Sequence, residues 1–197
     1  MSKNKKSGPA IFMYCVIAVT VVVAMICFWL YYNNICPNVV VLWIGIVAFV
    51  VMYHFWVRII MGNVSKLFKK HINYKQWWFR EKKFESGLYK TLRVKDWKSK
   101  ALTYNPESFS LKQNSLEDIA NTMVKSEIDH WINEVISLST LLFIIPWGAA
   151  LPFVISAIAA MIFDSQFIII QRYNRPRVVR IIEKKENEIK QEKVQNH

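Results

Sequence analysis

Acidic residues are scarce in this chain, with 14 Asp and Glu against 26 Lys and Arg among 197 residues, for a formal net charge of +12. Between Lys6 and Arg58 there is no charged residue of either sign, a gap of 51 positions. A soluble domain scatters its charges along its elements, so a gap of this length excludes most soluble readings. Five glycines and six prolines, with 14% aromatics, exclude collagen-like, low-complexity and disordered classes. The three cysteines, Cys15, Cys27 and Cys36, form no C-x-x-C and have no histidine close by in sequence, so neither a disulfide framework nor a zinc site is indicated. A Gly-rich phosphate loop, a G-x-S-x-G elbow, an H-E-x-x-H motif and an internal repeat are also lacking.

What the chain does contain is long apolar runs with basic segments outside them. The uncharged stretch is broken by the turn-like Tyr32-Asn33-Asn34-Ile35-Cys36-Pro37-Asn38, leaving spans at 11–32 and 39–61. Each meets the length of about 20 residues that a hydrocarbon core requires. The first is too long for a secretory signal core and has no convincing small-x-small site, so it reads as a retained anchor. A second uncharged run, Val135–Phe163, contains Pro146-Trp147-Gly148 and Pro152 and continues past Asp164, which predicts a second hairpin with helices at about 131–149 and 153–171. The expected fold is therefore an all-α integral membrane protein with about four transmembrane helices in two hairpins. Its expected segments are a basic N-terminus (1–10), hairpin 1 (11–61), a cytoplasmic or interfacial region (62–130), hairpin 2 (131–171) and a basic tail (172–197).

Basic residues gather on one side of this scheme. Gly62–Ser126 holds fourteen Lys and Arg against six acids, and the part after Gln171 holds eight against four, while the turns 33–38 and 146–152 are uncharged. By the positive-inside rule both termini and the long connection are expected in the cytoplasm, with anionic lipid headgroups as the partner of the basic surface. Topology accounts for the charge without nucleic acid. Interleaved bases and aromatics from Lys66-Leu67-Phe68-Lys69-Lys70 to Trp77-Trp78-Phe79-Arg80 read as an interfacial segment. In Lys95-Asp96-Trp97-Lys98-Ser99-Lys100, Trp97 can stack on a sugar face and Lys98 can grip an anion, although an interfacial Trp-Lys pair is equally natural.

Residues 115–135 predict an amphipathic helix capped by Asn114 or Ser115, with Ser115-x-x-Asp118 as a capping-box variant. At about 100° per residue, Leu116, Ile119, Ala120, Met123 and Trp131 share one face, and Asp118, Asn121, Thr122, Lys125, Asp129 and Asn133 the other. Glu127, His130 and Glu134 fall on the apolar face, where an unpaired charge is costly. The i, i+3 and i, i+4 spacings let both carboxylates reach His130, and an imidazole so oriented is a candidate general base for a hydroxyl. The same three residues can instead form a packing network tied to Arg58 or to an arginine of the tail. A di-metal carboxylate site would need a second Glu-x-x-His, and only His54 and Asp164 are at hand as supplements, so no metal is expected.

In Gln171-Arg172-Tyr173-Asn174-Arg175-Pro176-Arg177 three guanidinium groups leave the apolar run together, and such forks suit phosphate or carboxylate. Pro176 is expected to stop or kink the helix. Asp164, an acid within an apolar run, is a functional candidate by default, expected to pair with a base or to accept from a hydroxyl.

Glu127-x-x-His130-Trp131, followed by Gln171–Arg177 and preceded by Trp97-Lys98-x-Lys100, resembles the glycosyl-4,4'-diaponeurosporenoate acyltransferase family over about residues 80–185. The resemblance implies a bacterial, multi-pass cell-membrane enzyme that esterifies the primary hydroxyl of a carotenoid-linked glucose with a fatty acyl chain, completing a staphyloxanthin-type pigment. It implies an acyl donor such as an acyl-CoA thioester as co-substrate, a glycolipid or glycocarotenoid acceptor and no cofactor. The resemblance carries over Glu127, His130, Arg172, Asn174 and Arg175, with Trp97 and Lys98; read from the residues themselves, His130 with Glu127 and Glu134 is the expected catalytic group. Arg172, Asn174, Arg175, Arg177, Trp97, Lys98 and Asp164 are expected to contact substrate. A non-catalytic membrane immunity or assembly protein, using its basic inner surface for a partner, is the alternative of a different class.

Overall fold

Uninterrupted apolar sequence makes the first two helices, α1 (Gly8–Tyr32) and α2 (Val39–Phe68). They belong to a computed structural model that describes residues 8–68, 72–101 and 106–195; Lys3, Lys5, Lys6, Lys69 and Lys70 lie outside the described residues. Asn34 takes a left-handed conformation in the turn between them, and the Asn38 side chain accepts the Val40 N–H at 2.8 Å, capping α2. Gly45 permits a close approach: a Cβ there would stand 2.9 Å from the Phe28 ring and 3.1 Å from Cys27 Cβ. Most large apolar side chains of α1, such as Phe12 and Trp29, are exposed, as expected of a helix whose solvent is lipid.

Two short helices, α3 (Glu85–Thr91) and α4 (Val94–Trp97), follow a 3-10 turn at Trp77–Phe79. The amphipathic segment then forms α5 (Leu116–Ser139), and its capping box is present: Ser115 Oγ accepts the Asp118 N–H at 3.1 Å and donates to the Asp118 carboxylate at 2.9 Å. After a 3-10 turn (Thr140–Phe143), α6 (Ile144–Trp147) ends at Gly148, whose φ of +65° allows its N–H to reach the Ile144 carbonyl at 2.7 Å. The last helix is α7 (Ala150–Gln195).

Among the described residues, four stretches are long and apolar enough to cross a membrane: Gly8–Tyr32, Val39–Ser65, Leu116–Trp147 and Ala150–Gln195. No strand occurs among the described residues, and the all-α membrane class holds. The second pair of helices is longer than expected. The third stretch begins at the amphipathic segment rather than at 131. Helix α7 runs on through Pro176, which removes one backbone donor yet does not end it. Residues on both sides of the proline are held by packing: Arg175 is buried, and Val178, Val179 and Ile182 join an apolar core.

The chain divides into two units, Met1–Val64 with Trp131–Ser165, and Ser65–His130 with Gln166–His197. In the first, Ile46, Val50 and Phe153 form the core, and Trp147 of the Pro-Trp-Gly turn stacks on Phe153 with centroids 5.8 Å apart. In the second, Tyr74, Phe79, Ala120, Val124 and Ile182 form the core. Val124 and Ile128 widen the expected apolar face of α5, whereas Trp131 is exposed and Asn133, expected on the polar face, is buried.

Candidate functional site

The helical spacing that placed Glu127 on the apolar side of α5 is borne out, since this carboxylate is fully buried. Burial demands compensation, and two arginines of α7 supply it. Arg172 Nη1 donates to Glu127 Oε1 at 2.6 Å, and Arg175 Nη1 donates to Oε2 at 2.5 Å. Arg172 also donates from Nε (2.9 Å) and Nη2 to one oxygen of Glu85 on α3. The other Glu85 oxygen accepts the Tyr89 hydroxyl at 2.8 Å. Burial, and then this bond to Glu85, raise the Tyr89 phenol above its ordinary range, so it stays a donor. Two acids and two bases thus form a buried network with no net charge.

Arg175 closes the network on the backbone. Its Nε and Nη2 donate to the Phe79 carbonyl at 3.1 and 2.8 Å, and its guanidinium lies 5.4 Å from the Phe79 ring centroid. The aromatic run Trp77-Trp78-Phe79 is thereby sorted, with Phe79 buried and both tryptophans exposed. Arg172 and Arg175 were expected to contact substrate. In the structure they donate to Glu85, Glu127 and the Phe79 carbonyl. Sequence reasoning missed Glu85, whose only signal is its i, i+4 spacing from Tyr89, and the Phe79 carbonyl, which no side-chain pattern can announce.

The three residues assigned to catalysis take different partners. His130 is half-buried, its ring stacked on Phe167 at 4.7 Å between centroids with planes 8° apart. Glu127 goes to the arginines, and Glu134, in the other unit, accepts the Ser165 hydroxyl at 2.5 Å. Asp164 is buried in an ion pair with Arg58. Arg58 also donates to the His54 carbonyl at 2.8 Å. Among the described residues no three His, Cys, Asp or Glu side chains group as metal ligands would.

The remaining expected contacts surround Tyr173. Lys98 donates to Asn174 Oδ1 at 2.7 Å, with its ammonium 4.7 Å from the Tyr173 ring centroid. Arg177 stacks on the same ring at 3.8 Å and donates to the Tyr173 carbonyl at 2.5 Å. Trp97 donates its indole N–H to the Leu92 carbonyl at 2.9 Å. Lys98 therefore joins Asn174 and Arg177 around this ring, although Asn174 lies 76 positions away in sequence.

Residues 75–184, more than half of the chain, match the family model described as CrtO, glycosyl-4,4'-diaponeurosporenoate acyltransferase. The chain belongs to this family. It is a membrane acyltransferase of carotenoid biosynthesis. No curated protein and no solved structure matches it. The matched segment of this acyltransferase contains every member of the Glu85–Arg172–Glu127–Arg175 network, together with His130.

Proposed function

We propose that this acyltransferase esterifies a sugar hydroxyl of a glycosylated carotenoid, the acceptor named in the family's description, with His130 as general base. The observation that carries the assignment is chemical: His130 is the one histidine within residues 75–184, and that segment has no cysteine. A group that takes up and returns a proton near neutral pH without forming its own thioester is then most simply this imidazole. Stacking on Phe167 orients the half-buried ring.

The acceptor oxygen attacks the carbonyl carbon of an acyl thioester while His130 takes the hydroxyl proton. The tetrahedral intermediate then expels the thiolate, the C–S bond breaks, and the imidazolium returns the proton to sulfur. An ester and a free thiol result, and no electrons leave the system. The Glu85–Arg172–Glu127–Arg175 network serves this chemistry indirectly, by fixing α3, α5 and α7 within the unit that holds His130. Lys and Arg enrichment of the 62–126 connection and of both ends supports a cytoplasmic placement of these parts, at the leaflet of the cell membrane where acyl thioesters are made.

Purified protein with labelled acyl-CoA and a glucosylated carotenoid tests the reading, with the product identified by mass spectrometry. His130→Ala is expected to lose at least 10²-fold in rate, the lower range for removing a general base, with thermal unfolding in detergent unchanged. Full activity of the variant would sink the assignment.

A further inference from the structure

A cleft of about 450 Å³ opens in the second unit, between α3, the start of α4 and the arginine-rich stretch of α7. Its volume lies in the range of small-molecule sites. Five bases line it: Lys90, Arg93, Lys95, Arg177 and Arg180. The lining acids are Glu81 and Asp96, and both are committed, Glu81 to Arg180 at 2.8 Å and Asp96 to Arg93 at 2.9 Å. Lys90, Lys95 and Arg177 are left as uncompensated positive charge. Neither Lys90 nor Lys95 has an ion pair among the described residues.

The cleft is built rather than incidental. Arg93 adopts left-handed backbone angles, φ 49° and ψ 42°, a conformation that costs a non-glycine residue on the order of 1 kcal/mol or more. That residue turns α3 into α4, so that Lys90 and Lys95 line one cavity from two helices. The wall between them is rigid: Tyr89 meets Tyr173 edge-on at 5.3 Å, and Tyr89 is fixed through Glu85 to the buried arginine network. Arg177, held over the Tyr173 ring and bonded to the Tyr173 carbonyl through Nη1, also lines the cleft.

We propose that this cleft binds the phosphate-bearing part of the acyl donor, the nucleoside phosphates of an acyl-CoA thioester. A surplus of three positive charges in a concave site with a fixed aromatic wall suits a compact polyanion. The assignment rests on the thioester-donor reading above, and it moves donor recognition from Arg172 and Arg175 to Lys90, Lys95 and Arg177. Anionic lipid headgroups carry the same phosphate chemistry, so the two sources must be separated by experiment.

The test measures binding of adenosine 3',5'-bisphosphate to the full chain in nanodiscs of zwitterionic lipid, for the parent and for Lys90→Ala/Lys95→Ala. Both lysines are exposed, so the double variant is expected to fold, and an unchanged unfolding temperature checks this. We expect the variant to bind at least 10-fold more weakly, and its KM for acyl-CoA to rise similarly with kcat changed less than 2-fold. Saturable nucleotide binding that the double variant retains in full would overturn the cleft, as would no binding at all. Binding seen only when phosphatidylglycerol is added would overturn the donor assignment in favour of lipid. The two readings fail separately: nucleotide binding lost in the double variant without any acyl transfer by the parent overturns the proposed function alone. Normal transfer with an unchanged KM in the double variant overturns the cleft alone.

Discussion

Replacing Glu127 by glutamine keeps the size and shape of the side chain and removes one charge from the centre of the buried network. Two guanidinium groups would then face a single carboxylate, Glu85, whose ion pair is with Arg172. Arg175, whose side chain is 2% exposed, would have no ionic partner and no access to water. Removing one partner of a buried pair costs about 3–5 kcal/mol, chiefly the penalty of the charge left behind. For a chain of this length each kcal/mol corresponds to roughly 2–4 °C, so Glu127→Gln is expected to lower the unfolding temperature in detergent by roughly 6–20 °C. The same change in an Arg175→Met background leaves one acid with one base and should cost about 1–3 kcal/mol less, a coupling of the size seen for residues in one network. Arg175→Met is itself destabilising, because the Phe79 carbonyl loses two donors. Thermal unfolding of the four proteins gives the cycle directly. A shift below about 2 °C for Glu127→Gln, or costs that add within about 0.5 kcal/mol, would refute the network as the reason Glu127 is buried. Loss of acyl transfer with unchanged stability would instead return Glu127 to the role of orienting His130.

Two further expectations concern the first unit. Asp164→Ala should cost about 3–5 kcal/mol by stranding Arg58, while Arg58→Met/Asp164→Leu should recover most of that loss; equal instability of both variants in detergent melts would contradict the pairing. Gly45→Leu places atoms where Phe28 already stands, since even a Cβ would lie 2.9 Å from that ring, and should cost about 1–3 kcal/mol. An unchanged melting temperature for that variant would mean that the first two helices do not meet there.

Local features were legible in the sequence. The capping box of α5 needs only residues three apart, and the burial of Glu127 follows from 100° spacing along one helix. Pro176 shows where a local rule gave way: the residue lacks a helix donor, yet Arg175 is fastened to Phe79, 96 positions away, and Ile182 is buried in the core. Packing on both sides outweighed one missing hydrogen bond. Arg172 and Arg175 were recognisable as a pair of forks suited to an anion, but which anion could not be read from them. Their partners sit 45 and 48 positions away on α5 and, for Arg172, 87 positions away on α3.

Sequence alone determined that this protein is an all-α membrane protein and which family it belongs to, because hydropathy and motif strings are properties of contiguous residues. Tertiary structure decided which of its positive charges are already neutralised. A buried guanidinium must be matched by an acid or a carbonyl to offset the loss of water, and the match is found in space rather than along the chain. Arg172 and Arg175 are spent on that match, whereas Lys90, Lys95 and Arg177 retain their charge at a cleft.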